Sequence, residues 1–385
     1  MHYSPEPCWV IDTAYFSEAT DLLDLKFAYY LLQHSRLGTL DRSTAVPSLG
    51  RDDYNAVSIC IPNKPEQRGI VDKIEELFSD LDAGVAALER ARAKLKRYRA
   101  SVLKAAVEGR LTEKWRAEQK AKGIPVEPAA KLLERILAER RKNWEAAQLK
   151  KFADFGKAPP KGWQGRYPEP VQPDLGDLPA LPHSWCWVTL DMLAEIASGV
   201  AKGSKYKLGT NLTEVPYLRV ANVQRGYLDL SEIKTIRVTE REVGELSLIE
   251  GDILFNEGGD LDKLGRGWVW NGEIAKCIHQ NHVFRARPFS GVQSKFVSFH
   301  GNSFGQKWFF RTGKRSVNLA SINMGVLRRF PVPLPPAAEQ IEIVAQIDAT
   351  LSSIVHAESE IEHSLARAAR LRQGILKRAF EGRLV

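Results

Sequence analysis

Residues 66–111 read EQRGIVDKIEELFSDLDAGVAALERARAKLKRYRASVLKAAVEGRL, and residues 339–384 read EQIEIVAQIDATLSSIVHAESEIEHSLARAARLRQGILKRAFEGRL. The second stretch repeats the plan of the first at a constant offset of 273 positions (339 minus 66). Glu66 answers to Glu339, Gln67 to Gln340, Ile74 to Ile347, Arg97 to Arg370 and Arg99 to Arg372. Glu108-Gly109-Arg110-Leu111 answers to Glu381-Gly382-Arg383-Leu384. A repeat held in register this way predicts a molecule built on a two-fold modular plan.

Both stretches read as long helices. Ile74, Leu77, Leu81, Leu88, Ala91, Leu95, Tyr98, Val102 and Ala105 fall on alternating three- and four-residue steps, broken only at Gly84. Ile347, Leu351, Ile354, Ile361 and Leu365 give the second copy a similar stripe. A narrow seam of this kind suits another helix better than a broad core, so the two copies are expected to pack as an antiparallel coiled coil. Pro62 and Pro65, and Pro335 and Pro336, stand where a proline is tolerated at a helix start. Gly109 and Gly382 stand where a helix end is expected. About forty residues at 1.5 Å each make a strut of roughly 60 Å.

The rest of the chain reads as modules around these struts. At 385 residues it has room for two or three domains. Residues 1–61 look like the C-terminal remnant of a first domain, 62–111 the first long helix, and 112–180 a helical segment followed by a Pro-rich linker. Residues 181–334 look like a complete globular domain, and 335–385 the second long helix. Within 181–334, strand-like pieces are expected at 216–223, 233–238, 252–255 and 282–287, with a short helix over 190–196. Strands and short helices intermix without βαβ alternation, so the fold class is α+β. Arg42-Ser43 matches Arg315-Ser316 and Ser48 matches Ser321 at the same offset, while Lys26-Phe27 matches Lys295-Phe296 after a four-residue slip. A first module opening as the second does would begin at position −92 (181 minus 273), so about ninety residues are expected to be missing from it. A misassigned start, a truncated gene and a shortened subunit all fit.

Composition narrows the classes of function. The net charge of +8 suits a polyanionic partner. Four scattered cysteines without a CxxC pair fit neither a disulfide framework nor a zinc knuckle, and point to a reducing, cytoplasmic setting. No apolar run approaches a membrane span, and MHYSPEPCW lacks the pattern of a signal peptide.

Chemistry is hard to find. Gly199–Lys205 imitates a phosphate loop but lacks the glycine before Lys-Ser. His279 and His282 have no cysteine or carboxylate at ligand spacing. Glu232 and Lys234 have the spacing of a metal-dependent nuclease's carboxylate–x–lysine element, with Asp174 far upstream. What remains is a set of polar and basic clusters: Lys202, Lys205 and Lys207; Arg219, Asn222, Gln224 and Arg225; Gln280, Asn281 and His282; Lys314, Arg315, Asn318 and Asn323. Arg, Asn and Gln can make paired hydrogen bonds to base edges, and Lys and Arg neutralise phosphates. These residues are the candidates for contact with double-stranded DNA.

Five stretches resemble the specificity subunit of type I restriction–modification systems. They are LPHSWCWVTLDMLAEI (181–196), PYLRVANVQRGYLDL (216–230), LIEGDILFNEGG (248–259), SVNLASINMGVLRRFPVPLPPAAEQIEIVAQI (316–347) and KRAFEGRL (377–384). The Glu-Gln pair that opens each long helix behind its prolines is the most specific part. The resemblance implies a non-catalytic chain in which target-recognition domains each read one part of a split DNA site. The conserved helices would hold the domains apart and dock methyltransferase subunits, two in number, together with a restriction subunit. S-adenosylmethionine, ATP and Mg would be bound by those partners, and this chain would hold no cofactor or metal. Self-association through the long helices would be a further way to present two intact domains. The alternatives are a stand-alone endonuclease using Glu232 and Lys234, or a coiled-coil assembly protein that binds no DNA.

Overall fold

The computed structural model describes residues 2–4, 6, 8–9, 16, 18–35, 37, 50–203, 206–207, 209–259, 263–315 and 320–384, with the side chains at 314, 315 and 320 outside that set. The chain opens with helices α1 (Leu25–His34) and α2 (Arg51–Asn55) before the long α3 (Lys64–Val107). Helices α4 (Glu113–Ala121) and α5 (Ala129–Asp154) follow, then β1 (Cys186–Thr189), α6 (Leu190–Leu193), β2 (Ala194–Ser198), β3 (Thr213–Leu218) and β4 (Lys234–Val238). Next come α7 (Glu240–Leu246), β5 (Ile253–Asn256), β6 (Gly258–Gly259), β7 (Gly267–Val269), β8 (Ile278–His279) and β9 (Val283–Pro288). The chain closes with α8 (Ser294–Thr312), β10 (Lys314–Arg315), β11 (Ala320–Ser321), α9 (Met324–Arg328), β12 (Pro331–Leu334) and the long α10 (Ala337–Phe380). No helix among the described residues is long and apolar enough to cross a membrane.

These elements form two compact units, residues Met1–Arg97 with Ser353–Val385, and residues Tyr98–Ser352. In the first, α1 lays Phe27, Tyr30 and Leu31 across Val71, Ile74 and Phe78 of α3 and Leu376 and Ala379 of α10. Asp24 caps α1 by accepting from the Lys26 and Phe27 amides. The two long helices run antiparallel here: Asp82 pairs with Arg372, and ten residues on, Arg92 pairs with Glu362, ten residues back. The Arg372 guanidinium lies 4.0 Å from the centre of the Phe78 ring. Ile74, Ile354 and Ile361 are buried in the seam, and Leu77, Leu81, Leu88, Leu95 and Leu365 are half-buried.

The second unit places the other ends of the long helices side by side. Ala106 of α3 meets Ile343 and Ile347 of α10, with Leu351 alongside, beneath Trp185, Phe296 and Phe299. Tyr98, expected on the seam, is instead 53% exposed, while Val102 and Ala106 are buried.

The globular part of this unit carries two principal sheets. One is antiparallel in the order β2-β9-β5-β7, and the other, β4-β3-β8, joins β3 to β8 in parallel. β1 pairs with β12 immediately before α10, with Cys186 opposite Leu334. The main core gathers Leu190, Leu193, Phe255, Phe309 and Phe330, and α5 inserts Ala129, Leu132 and Ile136 into it.

One expectation needs correcting, and two features lay beyond the sequence reading. The helix expected over 190–196 stops at Leu193; Ala194 turns extended, and residues 194–198 pair with β9, burying Ile196 while exposing Glu195. That alternation is the period of a strand. Helix α8 escaped the sequence reading because its first half is buried nearly all round, at Phe296, Val297, Ser298, Phe299 and His300, so it shows no stripe. The stretch with linker composition is strapped down: Trp163 is buried and stacks on Trp144 at 5.7 Å, and Thr189 Oγ1 donates to Val171 O at 2.7 Å.

Candidate nucleic-acid interface

The backbone at 219, 280–282, 314–315 and 323 is drawn toward one end of the two sheets, and Val200 brings the start of the 202–207 loop there, while Tyr206 beside Lys207 bonds Glu242 at the start of α7. β2 runs out through Gly199, where an added Cβ would sit 1.9 Å from His279 O, so only glycine permits this approach. Its apparent phosphate-loop sequence therefore serves packing. Beyond it Val200 bridges to Gln280, and the Asn281 amide donates to Val200 O at 2.8 Å. The Gln280 amide donates to Leu218 O at 2.9 Å, which ties the same turn to the end of β3, where Arg219 begins. The Glu257 amide donates to His282 O, and the Ile322 amide donates to Glu257 O at 2.8 Å, next to Asn323. β6, immediately after Glu257, pairs with β11, which pairs with β10 at Lys314 and Arg315. Lys205 and Asn318 lie outside the described residues, as do the side chains of Lys314 and Arg315.

The side chains divide into those that face solvent and those spent on the fold. Lys202 and Lys207 are exposed on the loop between β2 and β3, which turns through left-handed glycines at 203 and 209. Gln280 and Asn281 are half-exposed, and His282 is exposed with Nδ1 2.6 Å from Glu257 Oε2. Arg225 donates from Nη1 to Asn302 O at 2.9 Å, and Gln224 donates to Ala221 O at 2.6 Å.

Asn222 is a correction to the sequence reading. Asn222 is buried; its Oδ1 accepts from the Arg219 amide, and its Nδ2 donates to Asp229 O and Glu232 O at 2.9 and 3.0 Å. Buried with both amide hydrogens engaged inside the loop, its side chain is not presented to a base edge. Asn323 caps α9, its Oδ1 accepting from the Val326 amide at 2.8 Å, and stays exposed. Asparagine favours such local bonds to backbone, a use that composition does not separate from DNA contact.

The residues proposed for other chemistry are likewise occupied. Glu232 lies 3.4 Å from both Lys234 Nζ and Arg219 Nη2, and the hydrogen bond from Lys234, with help from Arg219, lowers its carboxyl below the ordinary value. Asp174 accepts from the Gly176 amide within its own turn. His279 is buried with Nδ1 2.6 Å from Val283 O, and desolvation pushes its pKa down to about 4. Among the described residues no three His, Cys, Asp or Glu side chains gather as a metal site.

Sequence reasoning passed over Glu257 and Asn256. Glu257 is the point where the 280–282 turn and the strand before α9 meet, and Asn256 donates from Nδ2 to Val220 O and Val223 O. Their signal lay in LIEGDILFNEGG, where polar residues directly follow an apolar strand.

No protein-family model matches the chain. Among curated proteins it is 25% identical over 367 residues to the type I restriction enzyme EcoDI specificity subunit of Escherichia coli, a match covering 94% of this chain and 71% of that protein. It is 24% identical over 361 residues to the EcoKI specificity subunit of Escherichia coli strain K12, covering 92% of this chain and 63% of the relative. A solved chain from work on complex assembly and conformational transition of the type I R-M system matches with a TM-score of 0.52 and 18% identity, over 94% of this chain and 72% of that one, a likeness of fold alone. The chain is thus related, along more than nine-tenths of its length, to the specificity subunits of type I restriction enzymes.

Proposed function

We propose that this chain is a non-catalytic DNA-recognition subunit of a type I restriction–modification complex, reading part of a bipartite site. The observation that carries this reading is the similarity to curated specificity subunits over nearly the whole chain. The placement of exposed Lys202 and half-exposed Gln280 and Asn281 beyond the ends of β2 and β3 supports it, because lysine neutralises phosphate and the amides can address base edges. On this reading methyltransferase subunits, two per complex, and a restriction subunit dock to the chain. Those partners bind S-adenosylmethionine, ATP and Mg, and the complex works in the cytoplasm. The strut formed by each long helix sets the spacer between half-sites.

The test is binding of the purified chain, alone and with its methyltransferase subunits, to duplex DNA at increasing salt. Steep loss of affinity with salt and selection of one bipartite sequence are expected. Salt-independent retention, or none at low salt with the partners present, would refute the reading. Plasmid cutting with Mg²⁺ that disappears in Glu232→Ala would instead establish a nuclease.

A further inference from the structure

His282 stands at the tip of a turn that is held from several sides. The Val283 amide donates to Gln280 O at 2.9 Å, so Asn281 and His282 are the two central residues of a tight β-turn. Leu218 O accepts from the Gln280 amide, Val200 O from the Asn281 amide, and His282 O from the Glu257 amide. Glu257 is fixed in its turn, because its own carbonyl accepts from the Ile322 amide. The backbone beyond β2, β3 and β5 thus bears on the turn that carries one exposed imidazole.

The side chain is tied as well. His282 Nδ1 lies 2.6 Å from Glu257 Oε2, beside the backbone bond between the same two residues. A carboxylate accepts and cannot donate, so the proton sits on Nδ1, and a neutral ring then presents Nε2 as an acceptor. The His282 side chain is 54% exposed, and among the described residues no hydrogen bond reaches Nε2. Backbone bonds already hold the turn. What the Glu257 carboxylate adds is a chosen tautomer and ring orientation, with one nitrogen committed and the other on offer.

We propose that His282 reads an exocyclic amine in the target site, its Nε2 accepting from adenine N6 or cytosine N4 in the major groove, and that Glu257 is the positioning residue that fixes the tautomer. The inference rests on the DNA-recognition reading and deepens it. An amine is the group that fits. Thymine O4 and guanine O6 and N7 are acceptors, and would set lone pair against lone pair. Phosphate oxygens are acceptors too, so a neutral ring held in this tautomer offers the DNA backbone no bond from Nε2.

The test uses the full chain with its methyltransferase subunits at mildly alkaline pH, where imidazole is neutral. The duplex it selects is remade with one exocyclic amine deleted at a time, purine replacing adenine and a pyrimidinone replacing cytosine, and anisotropy gives each affinity. One deletion is expected to weaken the parent about tenfold, the scale of one hydrogen bond to a base. His282→Ala should weaken binding to the intact duplex to a like extent and be indifferent to that same deletion. Glu257→Leu should behave as His282→Ala does, while Glu257→Gln, which keeps an acceptor for Nδ1, should retain the coupling. His282 is exposed, so its alanine variant should fold as the parent does. Losses that simply add for every amine would overturn the inference, as would a salt slope lowered by about 1 in His282→Ala, the mark of a lost phosphate contact. A parent that selects one duplex but couples none of its amines to His282 sinks this inference alone. A parent that selects no sequence removes the recognition reading, and this inference with it.

Discussion

Arg287 grips both carboxylate oxygens of Asp252, Nε to Oδ1 and Nη2 to Oδ2, each at 2.8 Å. Asp252 is wholly buried, and its Oδ2 also accepts from the Ile249 amide, while Arg287 donates to Ser247 O. The hydrogen bond to Asp252 raises the Arg287 pKa against the opposing effect of burial. The pair thus pins the turn before β5 to β9, at the centre of the main sheet. Removing one partner leaves an uncompensated charge, so Asp252→Ala is expected to cost about 3 kcal/mol. Pairing it with Arg287→Met should recover much of that loss. Urea unfolding midpoints measure both, and a double variant no better than the single would contradict the account.

The two glutamine staples give a paired prediction. Gln67 and Gln340 each accept one amide and donate to two carbonyls, so a carboxylate in the same place could keep the first bond and would repel the others. Gln67→Glu and Gln340→Glu are each expected to lose about 2 kcal/mol. Because the two sites lie in different units, the losses should add in the double variant. Marked non-additivity in denaturant titrations would count against two separate staples.

Two buried histidines make the fold sensitive to mild acid. Desolvation pushes His279 and His300 down to about 4, with Arg285 and Arg287 adding to the effect at His279. Unfolding restores the ordinary value of 6.5. Between these values the unfolded chain binds protons that the folded chain refuses. Stability present above pH 6.5 is therefore lost as pH falls toward 4, by up to about 3 kcal/mol per histidine. His300 stacks on Phe304 with ring centres 5.0 Å apart, so His300→Phe keeps the packing and should flatten this slope by one proton. An unchanged slope in melts between pH 7 and 4.5 would rule out His300 as a source.

The long helices were legible because a repeat multiplies a weak periodic signal: Ile74 and Ile347 report the same position twice. Glycine marked their ends, and Gly109 and Gly382 do adopt the left-handed conformation that closes them. Asn63, standing where the second copy has Pro336, opens α3 by accepting from the Glu66 amide. Strands β4, β5 and β9 were found to within one residue by alternation and turn signals, while β3 ends at Leu218, five residues short of the stretch expected over 216–223. Helix α8 was not, since burial on all sides erases the stripe that pattern reading needs. At the candidate interface the sequence supplied residue types but not their employment. Asn222 and Lys202 look equally suited to DNA until the fold encloses one and leaves the other in solvent.

That difference in employment separates the effects expected of the two residues on DNA binding. Lys202 and Lys207 are exposed cations, and each phosphate contact contributes about 0.9 to the slope of log affinity against log salt. Replacing both with alanine should lower the slope by about 2 and weaken binding to all sequences alike. Asn222→Ala should leave the slope unchanged and instead destabilise the chain by about 2 kcal/mol, because the Arg219 amide and the Asp229 and Glu232 carbonyls lose their partner. Salt titrations of anisotropy read the first effect and thermal melts the second. A stable Asn222→Ala chain that binds the same duplex with a reduced slope would move Asn222 out of the fold and into the interface.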